Sequence, residues 1–97
     1  MKVRHSALAE DDLIEIWLYV ATENPDAADR LLDRFERRIR LLATQPLSGV
    51  ARDDLGREIR QVVVGNYLLF YRVEGGDILI LRVLHGKRDL TAENLED

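Results

Sequence analysis

Residues 58–84, EIRQVVVGNYLLFYRVEGGDILILRVL, decide how this chain folds. Three apolar runs, at 58–64, 67–73 and 78–84, are rich in Val, Ile, Leu, Tyr and Phe, the side chains that suit a pleated, half-buried surface. Gly65-Asn66 separates the first two as a two-residue hairpin signal, and Glu74-Gly75-Gly76-Asp77 supplies a second turn. Three strands joined by two tight turns make an antiparallel meander. The last two runs are apolar at almost every position, which predicts cover on both faces.

The chain before the meander reads as helical. Lys2 to His5 alternate around Val3 as a short strand, and Ser6 then stands as an N-cap with Glu10, Asp11 and Asp12 in the first turns behind it, where carboxylates favour the positive end of a helix. The spacing predicts a helix over 7–22, with Leu13, Ile16, Trp17 and Val20 on one face. Ile14, Leu18 and Ala21 widen that face to an apolar sector of about 200°, well beyond the stripe of about 100° needed against a single core. Asn24-Pro25-Asp26 caps and starts a second helix over 25–43, in which Ala28, Leu32, Phe35, Ile39 and Leu42 recur in steps of four and three. Its five arginines alternate with acids, and Asp26–Arg30, Asp33–Arg37 and Glu36–Arg40 are spaced for pairing along a solvated face. So short a connection makes the two helices an antiparallel hairpin. That hairpin covers one face of the meander only, so the chain carries more apolar surface than its own elements consume. A loop of about ten residues follows Gln45-Pro46-Leu47-Ser48-Gly49.

The fold class is therefore α+β: a short N-terminal strand, then an antiparallel helix hairpin packed on a mainly antiparallel sheet that ends in a three-stranded meander. With 97 residues and no cysteine, the expectation is one domain over 1–97, held by its core and ending in an acidic tail from about residue 90. No apolar stretch approaches the roughly 20 residues that span a bilayer, and Lys2, Arg4 and His5 leave no room for a signal sequence, so a soluble cytoplasmic protein is expected. The net charge of −4 argues against a general nucleic-acid binder. It nevertheless conceals a basic segment at 57–88, with six Lys/Arg against three Asp/Glu.

The chemistry-bearing candidates are few. His5 and His85, without cysteines and without helical spacing, do not make a metal site, and no cofactor motif is present. Glu10, Asp11 and Asp12 read as dipole partners rather than paired catalytic carboxylates. Tyr67, Phe70 and Tyr71 read as packing residues rather than base-stacking ones. The cations Arg60, Arg72, Arg82, Lys87 and Arg88, with His85, leave two readings open. Arg60 and Arg82 at neighbouring strand ends could converge with Arg88 as a bidentate clamp for phosphate or carboxylate, or all could be strand-end residues in water.

Several spaced motifs carry a family resemblance over about residues 3 to 89. They are Ala9-x-x-Asp12-Leu13-x-x-Ile16-x-x-Tyr19, Pro46-x-x-Gly49, Leu55, Arg60, Tyr67-x-x-x-Tyr71-Arg72 and the closing Arg82-Val83-Leu84-His85-Gly86-x-Arg88-Asp89. In these the chain resembles the ParE toxins of bacterial type II toxin–antitoxin modules, within the RelE/ParE superfamily. The resemblance implies one of two activities. RelE-like members are ribosome-dependent endoribonucleases that cut messenger RNA without a metal, using basic residues on the sheet and a late tyrosine. Matching the strand motifs places their basic positions at Glu58, Arg60, Leu68 and Arg88 and the tyrosine near Asn94, so only Arg60 and Arg88 keep a cation.

ParE-like members instead inhibit DNA gyrase by binding, and no catalytic residue is implied. The resemblance also implies a ParD-like antitoxin, which alone contacts DNA and whose C-terminal segment folds onto the toxin. On this reading Ile14, Trp17, Leu18 and Ala21, together with uncovered sheet, meet the antitoxin. Arg60, Arg82, His85, Lys87 and Arg88 are the candidates to meet the target. A non-toxic binding module of the same fold is the third reading.

Overall fold

Each of the three apolar runs becomes a strand. The computed structural model describes residues 1–87, and in chain order its elements are β1 (Val3–His5), α1 (Ala7–Ala21), α2 (Pro25–Thr44), β2 (Val50–Ala51), β3 (Arg60–Val64), β4 (Tyr67–Glu74) and β5 (Asp77–His85). Arg88, Asp89 and the acidic tail lie outside the described residues. The boundaries agree with the sequence reading to within one or two residues. The exception is the two-residue β2, hidden in the loop; β3 starts two residues later than read, because Glu58 takes φ +63° and belongs to a turn.

The sheet order is β1-β5-β4-β3-β2. Two hairpins set β4 between β3 and β5, all antiparallel, while β1 returns to pair parallel with β5 through Val3–Ile78, Arg4–Leu79 and His5–Ile80. Ser6 fixes that return. Its hydroxyl accepts from the Ala9 amide at 3.0 Å as the N-cap of α1 and donates to the Leu81 carbonyl at 2.8 Å, tying the helix start to β5. Asn24 caps α2 likewise, accepting from the Ala27 amide at 3.0 Å.

The two sheet faces are covered differently. The helix hairpin buries Phe35, Ile39 and Leu42 against Val62, Leu69, Tyr71 and Ile80. The opposite face is not left for a partner, as the sequence reading expects: Leu55 and Ile59, from the irregular segment between β2 and β3, fold back over Phe70, Leu81 and Leu84. Arg52 secures that segment. Its guanidinium donates to both Asp54 carboxylate oxygens at 3.0 and 2.9 Å and sits 5.8 Å from the Phe70 ring centre. The helix pairs Asp26–Arg30, Asp33–Arg37 and Glu36–Arg40 do not close to ion-pair distance, as solvated side chains at a few tenths of a kcal/mol per pair need not.

Candidate functional site

The wide apolar sector of α1 becomes one wall of a groove. A depression of about 840 Å³ runs between α1 and α2, floored by Val3, Leu13, Leu32, Phe35 and Ile39 and walled by Ile14, Trp17 and Leu18. Ile14 and Leu18 are 59% and 55% exposed, a large apolar surface that the described residues leave open. Trp17 is held in place: its indole N–H donates to the Asp29 carboxylate of α2 at 2.9 Å, which turns the ring into a fixed wall. Glu36 and Arg40 on α2 and His5 on β1 contribute the polar rim. Of the four α1 residues expected to meet a partner, the structure brings Ile14, Trp17 and Leu18 together, while Ala21 is half-buried outside the groove. A long apolar trough between two helices fits an amphipathic helix laid along it.

The cationic end is reorganised more deeply. Arg82 does not face solvent. It is 7% exposed, and its guanidinium donates to both oxygens of the buried Asp12 carboxylate, at 2.7 and 2.9 Å. Asp12 also accepts the Val83 amide at 3.0 Å, just past the point where β1 stops pairing with β5. The carboxylate thereby continues the strand edge that β1 leaves open. A register shift of β4 against β5 lies here, with Phe70 opposite Arg82 and Tyr71 opposite Ile80. Asp12 is therefore the buried half of an ion pair rather than a dipole partner, and Glu10 is the acid in the first turn.

Arg60 and Arg82 do not converge, because β4 stands between their strands. Arg60 Nη1 donates instead to the Leu47 and Gly49 carbonyls at 3.2 and 2.9 Å. Its partner across the sheet, Tyr71, is fully buried; the hydroxyl donates to the Pro46 carbonyl at 2.7 Å and accepts from the Gly49 amide at 2.9 Å. A Cβ at Gly49 would lie 2.7 Å from Tyr71, so only glycine fits there. Pro46-x-x-Gly49, Arg60 and Tyr71 are thus one structural unit that locks the chain leaving α2.

His85 and Lys87 remain exposed at the end of β5, with the Lys87 amide donating to His85 Nδ1 at 3.2 Å. His85 stands edge-on to Tyr67, which is edge-on to Phe35. Arg88 lies outside the described residues. Those residues contain no group of three side chains able to hold a metal, and no helix among them is long and apolar enough to cross a membrane.

Sequence reasoning missed Asp12 and Asp29. The signal for Asp12 was present: it falls between Ala9 and Ile16 on the packed stripe of α1, while Arg82 interrupts a run otherwise apolar. Two opposite charges, each alone in an apolar setting, are best satisfied by each other. Nothing comparable marks Asp29, which lies on an exposed helix position.

Known proteins bear on this geometry. A family model described as ParE toxin of type II toxin-antitoxin system, parDE, matches residues 3–90. Toxin ParE1 of Mycobacterium tuberculosis is 34% identical over 87 residues, covering 88% of this chain and 89% of its own. Toxin ParE3 of Caulobacter vibrioides is 35% identical over 66 residues, 68% of this chain and 66% of its own. A solved structure of the chromosomal ParDE TA system from P. aeruginosa superposes with a TM-score of 0.73 at 23% identity, covering 88% of this chain and 95% of that one, and shares the fold.

Proposed function

The chain belongs to the ParE toxin family of type II toxin–antitoxin systems, and from that premise we propose that it acts by binding: it inhibits DNA gyrase, and a ParD-like antitoxin neutralises it by laying a helix in the groove between α1 and α2. The observation that carries the antitoxin half is the groove itself. Ile14 and Leu18 stay more than half exposed although the chain has a complete core elsewhere, and burying them at about 25 cal/mol per Å² of apolar surface is a strong drive for association. Among the described residues, the target-facing part is the exposed end of β5, His85 and Lys87. Arg88 extends that set by the resemblance. Arg82 is withdrawn from it.

The endonuclease reading is the weaker one on two grounds. Glu58 and Leu68 stand where the resemblance places basic residues, and Arg60 Nη1 is held by backbone carbonyls. Purified protein added to a gyrase supercoiling assay is the test, paired with expression in cells scored for filamentation against translation arrest. Inhibited supercoiling and filamentous cells are expected. An inert protein in assays of type II topoisomerases, or cuts in ribosome-bound transcripts, overturns the target assignment.

A further inference from the structure

The hairpin end of the sheet gathers cations from two parts of the chain that lie far apart in sequence. The Gly65-Asn66 turn joins β3 to β4, and the Gly86 amide donates to the Asn66 carbonyl at 2.8 Å, which sets Lys87 against that turn. Arg34 of α2 reaches the same turn: a Cβ at Gly65 would lie 3.1 Å from its Nη1. Gly65 has φ +58°, the left-handed conformation that glycine adopts without penalty, and its bare Cα lets the guanidinium come so close.

Beyond Arg34 the cations continue along α2. A groove of about 480 Å³ is lined by Arg30, Arg34 and Arg37 with Asp33, Ala27 and Leu31. The three arginines are exposed, and Arg30 and Arg34 stand one turn apart, about 6 Å along the helix axis. No carboxylate among the described residues, Asp33 included, lies within ion-pair distance of them or of the exposed Lys87.

We propose that Arg30, Arg34, Arg37 and Lys87 form one surface that holds the sugar–phosphate backbone of duplex DNA. The inference enlarges the target-facing end of β5 and rests on that reading for its role: a topoisomerase holds duplex DNA, so a toxin seated on it has phosphates within reach. The resemblance leaves DNA to the antitoxin, whereas this surface gives the toxin a contact of its own. Chemistry favours phosphate over an acidic protein here. A guanidinium is a planar fork that bonds two phosphate oxygens at once, and backbone contacts need no desolvated core. The groove's apolar residues, Ala27 and Leu31, are half-buried, so it offers no exposed anchor on which a protein interface would centre. The net charge of −4, with Asp33 beside the arginines, makes the free contact weak; a target that already holds DNA raises its effective concentration.

The test needs only the full chain and a short fluorescein-labelled DNA duplex, so its outcome is independent of the target assignment. Anisotropy measured between about 20 and 100 mM salt should show binding whose log K falls against log salt with a slope of about −3.6, as four neutralised phosphates require. Arg30→Gln and Arg34→Gln should each reduce that slope by about 0.9 and weaken binding roughly tenfold at low salt, with unchanged circular dichroism. Arg57→Gln, which removes an exposed cation from the segment between β2 and β3, should leave the slope as it is. No binding at the lowest salt, a slope indifferent to Arg34→Gln, or an equal response to Arg57→Gln overturns the proposal. So does displacement of the duplex by polyglutamate of equal charge, which gives the face to an acidic protein, or tighter binding of duplex RNA, which gives it to the endonuclease reading.

Discussion

Asp12 and Arg82, seventy residues apart in sequence, meet in a bidentate ion pair at the edge of β5 where β1 runs out. At 5% and 7% exposure the pair is withdrawn from solvent, and the Val83 amide takes part of the same carboxylate. The pair joins the start of α1 to the strand that carries the family's closing motif. Replacing one partner leaves the other buried and uncompensated, which costs about 3–5 kcal/mol, whereas replacing both with apolar residues of similar size is often neutral. Asp12→Ala and Arg82→Ala should each lower urea stability by that amount, and Asp12→Leu with Arg82→Met should recover most of it. Two single losses that simply add would show that the pair is not the unit described.

Tyr71 and Gly49 make the second prediction. Tyr71→Phe removes one donor to Pro46 and one acceptor for Gly49, leaving buried backbone groups unmet at a cost of about 1–3 kcal/mol each. Gly49→Ala should destabilise by a comparable amount through its contact at 2.7 Å with the Tyr71 ring. Because that contact involves a ring carbon as well as the hydroxyl, Tyr71→Phe should relieve it only in part. Equilibrium unfolding of the three variants measures the coupling.

The segment that covers the far face should respond to acid. Hydrogen bonding to Arg52 holds the Asp54 carboxyl below its ordinary value and pushes the Arg52 guanidinium up. A carboxyl lowered on folding stabilises the native state above its unfolded value, and that contribution fades as pH falls through the folded one. Asp54 is solvent-exposed, so the effect is local. Protection factors of the amides around Leu55 and Ile59, taken relative to the intrinsic exchange rate at each pH, should fall in acid while global stability barely changes, and Asp54→Asn should abolish that difference. Protection factors that do not change with acid in the unaltered chain would contradict the role given to Arg52.

The sheet was the most legible part of the sequence, because hairpin turns and β-rich runs are local signals, and so were both helix caps at Ser6 and Asn24. The far-face cover was not legible. Leu55 and Ile59 sit in an irregular segment without periodicity, and their burial follows from a chain reversal that no local pattern encodes. The exposed apolar face of Ile14, Trp17 and Leu18 was legible because an apolar sector wider than one core requires is visible on a helical wheel. Arg82 was misplaced for a physical reason: a cation at a strand's end and a cation inside a strand look alike until the partner carboxylate, on a distant helix, is known. The partners of Arg60 were illegible for a similar reason, since its acceptors are backbone carbonyls that any residues could supply.

Trp17 is the chain's only tryptophan, so its emission reports the groove directly. Asp29→Ala should free the indole N–H and broaden its orientation. Lower steady-state anisotropy of Trp17 is expected, with the fold intact by circular dichroism. Unchanged anisotropy would mean that packing alone fixes the ring.

The groove's role is tested most directly by the affinity of the antitoxin's C-terminal segment for the Leu18→Glu variant. Tyr19→Glu, on the same helix but outside the groove and 80% exposed, serves as the control. A buried charge at the centre of an apolar interface should weaken binding at least a hundredfold, about 2.7 kcal/mol, while Tyr19→Glu stays near the unaltered chain. Equal affinities for Leu18→Glu and the unaltered chain, with both folded, would contradict the account.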